Sequence, residues 1–225
     1  EEVVSLPMIF HHYLNRLKED DYDDNWKNMF EGDNEADAKK SSEGMAKREQ
    51  SQESMTRERC VAVIKKLFEG ESSFAVNAIM AADGMKHVME FTLIRVIEAT
   101  FALIRKGVTN VLEYNESHSE SPMDDSLLER YMRRWVLIAF AWGVGGSLNL
   151  QRRGEYCAKI QSLNTEVTLP NFQPGTSLLE YGVSTDDAEW YLWKKRVPTG
   201  EIDPQRVTDA DLIITTVDTV RHQEI

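Results

Sequence analysis

Cysteine, net positive charge and long apolar runs are all scarce in this sequence. Of its 225 residues only two are cysteines, Cys60 and Cys157, and neither belongs to a CxxC pair or has a histidine close by in sequence. Zinc and dithiol redox sites therefore lack support. The formal net charge of -12 argues against nucleic-acid binding, because phosphate recognition requires clustered lysine and arginine. The most apolar run, residues 135–146, is shorter than the roughly 20 residues of a membrane span.

These absences predict a soluble, reduced and intracellular chain that binds neither nucleic acid nor a membrane. The chain opens with Glu1 and Glu2, whose charge is opposite to that of a secretory n-region, so no signal peptide is expected.

The motifs of nucleotide, metal and hydrolase sites are also missing. The closely spaced glycines of residues 143–146 match neither GxxxxGK[ST] nor GxGxxG, because Leu148 stands where the third glycine is required. They follow a predicted helix rather than a strand, so we interpret them as a helix–helix corner. None of the five histidines has a partner at metal-ligand spacing, and no GxSxG elbow occurs. The residues alone yield no catalytic residue and no metal ligand.

Helical periodicity dominates most of the chain. Apolar residues recur at helical spacing over residues 5–18, where Ser5 is a candidate N-cap. Further helices are predicted by stripes that begin at Cys60, Phe74, Ile94, Leu128 and Leu150. The stripe from Ile94 to Val111 has apolar neighbours on its other faces as well, so we expect that helix to be buried on most sides. The pattern predicts a mainly α protein built on a helical bundle.

Residues 19–59 interrupt this periodicity. They are charged and polar, and the stretch from residue 31 to 54 contains no aromatic residue. Such a segment buries too little apolar surface to offset the entropy of ordering it. We interpret it as a mobile insertion whose C-terminal part is compatible with a helix.

The pattern changes again after Pro170. Leu179, Tyr181 and Val183 alternate with other residues, a polar turn follows, and residues 190–197 are aromatic and extended, which predicts a β-hairpin. Residues 198–210 are predicted to be a linker. A buried-type connector strand, DLIITT, then leads to Asp218, a candidate cap for a helix that the end of the sequence interrupts. Such an ending is not expected of a self-contained protein.

Arg152 and Arg153 open the helix after the glycine corner. A solvated basic turn is the simpler interpretation of this pair. The alternative is an arginine directed at a phosphate group, which its planar set of donors suits.

Four segments, in order, resemble the dynein heavy chain family. The opening resembles that of the small subdomain in the second AAA+ module: EEVVSLPMIFHHYLNRL. A tryptophan-containing helix, a Gly-Gly break and an arginine-bearing helix follow in LLERYMRRWVLIAFAWGVGGSLNLQRRGEY. The family's connecting hairpin is similar to LLEYGVSTDDAEWYLWKKRVP. The most specific segment resembles the start of the third module, and its run from Asp218 to His222 favours the cytoplasmic branch: ADLIITTVDTVRHQE.

The resemblance implies an organisation in five parts. These are the first helix of an AAA+ small or lid subdomain, a charged insertion, the helical core, a hairpin with its linker, and the start of the next module: residues 1–18, 19–59, 60–169, 170–210 and 211–225. The implied function is that of a non-catalytic lid in a microtubule-based cytoplasmic motor. It would pack between neighbouring AAA+ subdomains of the same heavy chain and relay ATP-dependent conformational change.

Cofactors and further partners would belong to the intact motor. The resemblance implies ATP or ADP with Mg²⁺ in its large subdomains and none in this fragment. Microtubules and other dynein subunits would be reached only through the motor, on the cytoskeleton.

The resemblance also suggests nucleotide-contacting residues. Arg152 or Arg153 occupies a position similar to the sensor-type position of AAA+ lids, and would approach the phosphates of the second module's nucleotide. Backbone groups of Ile213, Ile214, Thr215 and Thr216 would line the adenine pocket of the third module.

Two other classes of function remain as alternatives. One is a stand-alone helical adaptor that binds partners through the acidic insertion, although an adaptor is expected to end with a completed element. The other is an ATPase in its own right, which the missing P-loop disfavours because that loop forms the phosphate cradle.

Overall fold

Seven helices and one β-hairpin make up the part of the chain that the structure describes. This structure is a computed structural model that describes residues 5–18, 42–163, 167–198 and 215–225, with the backbone alone described for residues 42–51. The helices are α1 (Leu6–Arg16), α2 (Ser42–Phe68), α3 (Phe74–Asp83), α4 (Leu93–Ser117), α5 (Asp125–Gly143), α6 (Leu150–Leu163) and α7 (Val217–Glu224). The strands are β1 (Tyr181–Val183) and β2 (Trp190–Leu192), which pair antiparallel. The predicted helical bundle with a hairpin is confirmed.

Local capping explains several helix boundaries. Ser5 occupies the N-cap of α1 in an extended conformation, although its side chain makes no capping hydrogen bond. The Ser73 hydroxyl accepts from the Val76 amide at 3.3 Å and begins α3. The Asp124 carboxylate accepts from the Leu127 amide at 2.8 Å and begins α5. These short polar side chains satisfy amides that have no partner within the first turn of a helix.

An aromatic cluster joins four helices of the body. Phe10 of α1 lies 5.1 Å from Phe68 of α2, measured between ring centroids. Phe68 in turn lies 5.3 Å from Phe101 of α4 and 5.7 Å from Phe140 of α5. All four rings are buried, and each contributes roughly 1.5–3 kcal/mol by leaving water. This cluster fixes α1 to the rest of the bundle.

Glycine permits the close approach of α4 and α5. A Cβ atom added at Gly107 of α4 would lie 2.2 Å from Cδ1 of Trp135. One added at Gly143 of α5 would lie 2.6 Å from the Thr100 Cα atom. Between these points the Trp135 indole N–H donates to the Leu103 carbonyl at 2.7 Å. The two long helices therefore approach each other closely at these two points.

α4 is amphipathic rather than buried on most sides, so that expectation was wrong. Its stripe from Ile97 to Val111 is buried, but Ile94 is 65% exposed and Leu93 is 43% exposed. The exposed first turn, residues 93–95, is not covered by the helices that bury the rest of the stripe.

α2 crosses the boundary predicted between the insertion and the helical core. It runs without a break from Ser42 to Phe68, so residue 59 lies inside a helix. Arg59 donates to the Asp125 carboxylate at 2.8 Å and to the Met123 carbonyl at 3.0 Å. The described end of the predicted insertion is thus attached to the start of α5, whereas residues 19–41 lie outside the described residues.

The hairpin is shorter than predicted. Tyr181 pairs with Leu192 and Val183 with Trp190, but Trp193–Arg196 forms a 3-10 turn instead of continuing the strand. Trp193 is fully buried, and a Cβ at Gly182 would lie 2.6 Å from its ring. Burial of this indole against β1 therefore takes the place of further strand pairing.

The sequence suggested Asp218 as the cap of α7, but the cap is Thr216. The Thr216 hydroxyl accepts from the Thr219 amide at 3.2 Å, and the Thr219 hydroxyl accepts from the Thr216 amide at 2.7 Å. This reciprocal pair forms a capping box. Asp218 lies in the first turn and pairs with Arg221. Of the predicted connector strand, residues 211–214 lie outside the described residues.

Candidate functional site

The glycine corner joins two loops at one end of the bundle. The Val88 amide donates to the Ser147 carbonyl at 2.9 Å, and the Asn149 amide donates to the Lys86 carbonyl at 3.3 Å. His87 lies between them, with Nδ1 3.0 Å from the Ser147 hydroxyl oxygen. The loop between α3 and α4 is therefore hydrogen-bonded to the loop between α5 and α6. The interpretation of these glycines as a helix–helix corner is confirmed.

Arg153 is committed to the backbone of this corner. Its Nε donates to the Leu148 carbonyl at 3.0 Å, and one terminal nitrogen donates to the Gly146 carbonyl at 3.1 Å. A guanidinium held in this way closes the turn between α5 and α6. These two bonds use Nε and one terminal nitrogen of the guanidinium.

Arg152 is the accessible member of the pair. Its amide donates to the Asn149 carboxamide oxygen at 2.9 Å, which caps α6. Its guanidinium pairs with Glu155, one turn along, and the side chain is 47% exposed. An exposed pair of this kind contributes little to stability. Arg152 therefore has a charged group that can change partner without disturbing the fold.

The predicted adenine-contacting residues are described only at their C-terminal end. Ile213 and Ile214 lie outside the described residues. The Thr216 hydroxyl is used to cap α7, and Thr215 precedes it without regular secondary structure. Among the described residues, no hydrogen bond or ion pair joins Thr215 or Thr216 to Arg152 or Arg153.

Arg134 fastens the hairpin to α5. Its side chain is 5% exposed and lies 3.1 Å from a Glu189 carboxylate oxygen. The same nitrogen donates to the Ala188 carbonyl, and the guanidinium lies 5.7 Å from the Trp190 ring centroid. The desolvation penalty of such an ion pair is offset only where further hydrogen bonds satisfy its remaining polar atoms, and the bond to the Ala188 carbonyl does so here. The sequence analysis missed this residue, whose only signal was a charge within an apolar helical stripe.

α7 docks on the helical body beside the hairpin. The Arg221 guanidinium lies 4.5 Å from the ring centroid of Trp142 on α5. Val220 is buried, and Ile225 packs against the core. Trp142 Nε1 and Arg221 Nε are buried without an acceptor among the described residues. We call this contact the α7 seam, defined by Trp142, Val220, Arg221 and Ile225. Sequence analysis had placed Trp142 in the tryptophan-containing segment and Arg221 in the last family-like segment, without connecting them.

Neither cysteine is suited to nucleophilic chemistry, and the described residues form no metal-ligand cluster. Burial raises the pKa of the Cys60 thiol and of the Cys157 thiol to about 12, so neither is a thiolate at neutral pH. Burial also raises the pKa of Tyr131 and of Tyr156 far above the ordinary value. No set of three or more histidine, cysteine or acidic residues within the described ranges is arranged to hold a metal ion. In the same ranges, no helix combines the length and apolarity that crossing a membrane requires.

Comparison with known proteins reveals similarity over the whole chain. Residues 47–195 match the family model described as "Dynein heavy chain AAA lid domain". The chain is 44% identical to the cytoplasmic dynein heavy chain of Paramecium tetraurelia, over 100% of this chain and 5% of that protein. It is 36% identical to the cytoplasmic dynein heavy chain of Dictyostelium discoideum, over 74% of this chain and 3% of that protein. Dynein heavy chain-like protein 1 of Plasmodium falciparum is 34% identical, over 74% of this chain and 4% of that protein.

Proposed function

The chain belongs to the dynein heavy chain AAA lid domain family, and from this membership we propose that it is a non-catalytic lid subdomain of a microtubule-based motor. It spans about 5% of the length of the Paramecium relative. The activity of a whole motor is therefore assigned to it only as part of this proposal. Within the ring, the lid lies between the second and third AAA+ modules and relays ATP-dependent conformational change.

The α7 seam is the observation that carries this proposal. By the family resemblance, α7 is the first helix of the following module, and it is held on the lid by Arg221 and Val220. A helix that belongs to one module and packs on another transmits displacement between them, because packed interiors deform little. The lid thus moves the next module directly through this contact.

The hairpin provides a second structural connection between α5 and α7. Arg134 ties it to α5, and the turn Trp193–Arg196 that follows β2 packs beside α7. Both paths start on α5, the helix that also packs against α2 and α4. A rotation of the helical body therefore carries the hairpin and α7 together.

The relatives favour a motor part over a stand-alone adaptor. The similarity to the Paramecium heavy chain extends over the whole of this chain, including the α7 seam. A stand-alone adaptor would need only the segment that the family model matches, residues 47–195. We therefore assign the partners of this chain as the neighbouring AAA+ subdomains of the same polypeptide, in the cytoplasm. Microtubules and other dynein subunits are reached through the intact motor.

The described residues do not by themselves build a nucleotide site. Arg153 is bound to carbonyl groups of the corner and the Thr216 hydroxyl to its own helix. Of the two predicted arginines, Arg152 has the more exposed charged group, which pairs with Glu155. ATP or ADP with Mg²⁺ is accordingly a ligand of the large subdomains in the intact motor, and Arg152 is the arginine of the predicted pair that we propose for contact with it.

We expect Arg152→Ala and Arg153→Ala to separate nucleotide contact from structural support. In the intact motor, loss of Arg152 lowers the nucleotide affinity of the second module about tenfold or more, since a hydrogen bond to a charged group contributes roughly 1.5–3 kcal/mol. In the isolated chain the same change leaves the unfolding free energy within about 1 kcal/mol. Loss of Arg153 instead costs about 1–3 kcal/mol in the isolated chain, because the buried Leu148 carbonyl loses its donor. Titration with a fluorescent ATP analogue and urea unfolding measure the two effects. Unchanged affinity in the Arg152 variant would remove that residue from the proposal.

We expect the isolated chain neither to bind nor to hydrolyse ATP. The physical reason is that it contains no P-loop backbone to cradle the phosphates. A fluorescent ATP analogue is titrated into the chain, and phosphate release is followed in the same sample. Tight binding with turnover would show that the chain contains a catalytic site and that a non-catalytic lid is the wrong assignment.

A further inference from the structure

Three arginines line one cleft beside α5. The cleft has a volume of about 390 Å³, and its walls come from α5 and from residues 167–168. Arg130, Arg133 and Arg134 all line it, and Glu129 is the one carboxylate among its described lining residues. A chain with a formal net charge of -12 thus concentrates positive charge at this place. Guanidinium groups bind phosphate through several donors at once, so the cleft suits a phosphoryl group.

Ser126 lines the same cleft and is exposed. It is the second residue of α5, and Arg130 follows it by four positions. Residues four apart on a helix are neighbours, and an ion pair is most favourable when the acidic member stands nearer the N-terminus. A phosphate on Ser126 would therefore lie beside the Arg130 guanidinium in the favourable order.

The carboxylates nearest to Ser126 already have cationic partners. Asp125 lies 2.6 Å from Arg59. Glu129 lies 2.9 Å from Arg133 and 3.6 Å from Lys66. The hydrogen bond from Arg133 holds the pKa of Glu129 below its ordinary value. Because these acids are paired, they repel a new phosphate less than free carboxylates would.

The sequence around Ser126 indicates the class of enzyme that would modify it. The two residues before it are aspartates, and Glu129 stands at the third position after it. A kinase with a basic substrate groove is attracted to such a segment by charge complementarity. Only the first turn of α5 has to open for an extended substrate pose, and helix ends open at low cost. We propose that Ser126 is a phosphorylation site for an acid-directed protein kinase and that Arg130 binds the resulting phosphate in the cleft.

The phosphoryl group comes from ATP. Ser126 Oγ attacks the γ-phosphorus, a new P–O bond forms as the bond to ADP breaks, and the hydroxyl proton passes to a base of the kinase. The product carries a charge of about -1.5 to -2 at pH 7 and three acceptor oxygens. Arg130 donates to the Asp187 carbonyl in the turn of the hairpin at 3.1 Å, so the phosphate competes for this guanidinium. Phosphorylation thereby weakens one attachment of the hairpin to α5, and Arg134 retains the other.

Kinase treatment of the intact heavy chain tests this site. The purified protein is incubated with ATP, Mg²⁺ and an acid-directed kinase, and phosphate at each serine is quantified by mass spectrometry. Removal of the phosphate by an added phosphatase is then followed in the same way. Ser117 is the matched internal control, because it is exposed and also has an acidic residue, Glu120, at the third position after it. The Ser117 hydroxyl donates to the Tyr114 carbonyl at the end of α4.

We expect phosphate at Ser126, and we expect Arg130→Gln to speed its removal about tenfold, because hydrogen bonds between charged groups are lost. Removal from Ser117 is expected to change less than about threefold in the same variant. Arg130→Lys keeps the charge but not the planar guanidinium, so an intermediate rate is expected. Arg130 is exposed, and both variants are expected to fold.

Absence of phosphate from Ser126, whether or not Ser117 is modified, would overturn the proposal. Equal rates of removal from Ser126 in the Arg130→Gln variant and the unmodified heavy chain would also overturn it. The inference goes beyond the proposed function, since it holds whether or not the lid relays motion. Its failure would leave microtubule-stimulated ATP turnover, which tests the relay, unaffected.

Discussion

Alanine at Gly143 is expected to lower the unfolding free energy of the chain by about 3 kcal/mol or more. The new Cβ atom would lie 2.6 Å from the Thr100 Cα atom and 2.8 Å from the Thr100 amide nitrogen. Both are backbone atoms of a neighbouring helix, so they can move only if α4 and α5 separate. Forcing an extra carbon into a packed core costs typically 1–3 kcal/mol and more where the backbone must shift. Urea unfolding followed by circular dichroism gives the change.

Gly107 and Gly154 complete this test. Gly107→Ala is expected to cost somewhat less than Gly143→Ala, since its Cβ meets the side chain of Trp135 rather than backbone. Gly154 is also helical, but no atom lies within 4 Å of its added Cβ, so Gly154→Ala is expected to be neutral or to stabilise by up to about 1 kcal/mol. If Gly143→Ala were as stable as Gly154→Ala, the close packing of α4 on α5 would be wrong.

Local sequence signals were sufficient for most helices. Ser5 lies at the N-cap of α1, and α5 ends at the glycines of residues 143–146, because a helix boundary depends on residues within one turn of it. The apolar stripe of α4 likewise predicts its buried face from Ile97 onward. These features need no knowledge of distant residues, which is why the sequence reveals them.

Features that depend on distant partners were missed. Arg134 is buried because Ala188 and Glu189, more than 50 residues away, bind its guanidinium. The 3-10 turn after β2 forms because Trp193 packs against Gly182 of the facing strand. No local pattern in either segment specifies these pairings.

The same distinction applies to the candidate site. The sequence alone does not distinguish Arg152 from its neighbour Arg153. In the structure Arg153 binds backbone carbonyls of the glycine corner, whereas Arg152 is exposed. Recognition of the α7 seam required the position of Trp142 relative to Arg221, 79 positions further along the chain. Sequence resemblance had suggested only that the segment carrying Arg221 begins a new module.

The second large effect is expected at the α7 seam. Arg221→Ala removes the cation from the Trp142 ring, where it lies at 4.5 Å, and a desolvated contact of this type contributes roughly 2 kcal/mol. That loss weakens the docking of α7 about thirtyfold, because each 1.4 kcal/mol is a factor of ten. In the intact motor we expect nucleotide binding to persist while microtubule-stimulated ATP turnover falls about tenfold.

His222→Ala is the matched control for this change. His222 is the next residue of the same helix and is exposed, so its loss leaves the seam intact. Arg221→Lys keeps the positive charge but loses the planar guanidinium, and an intermediate effect is expected.

The most direct measurement is therefore ATP turnover by the intact motor, with and without microtubules, for the Arg221→Ala and His222→Ala variants. If the lid relays motion through the α7 seam, Arg221→Ala loses most of the microtubule stimulation while the basal rate and the His222→Ala variant stay near the unmodified motor. Full stimulation in both variants would contradict a relay through this contact.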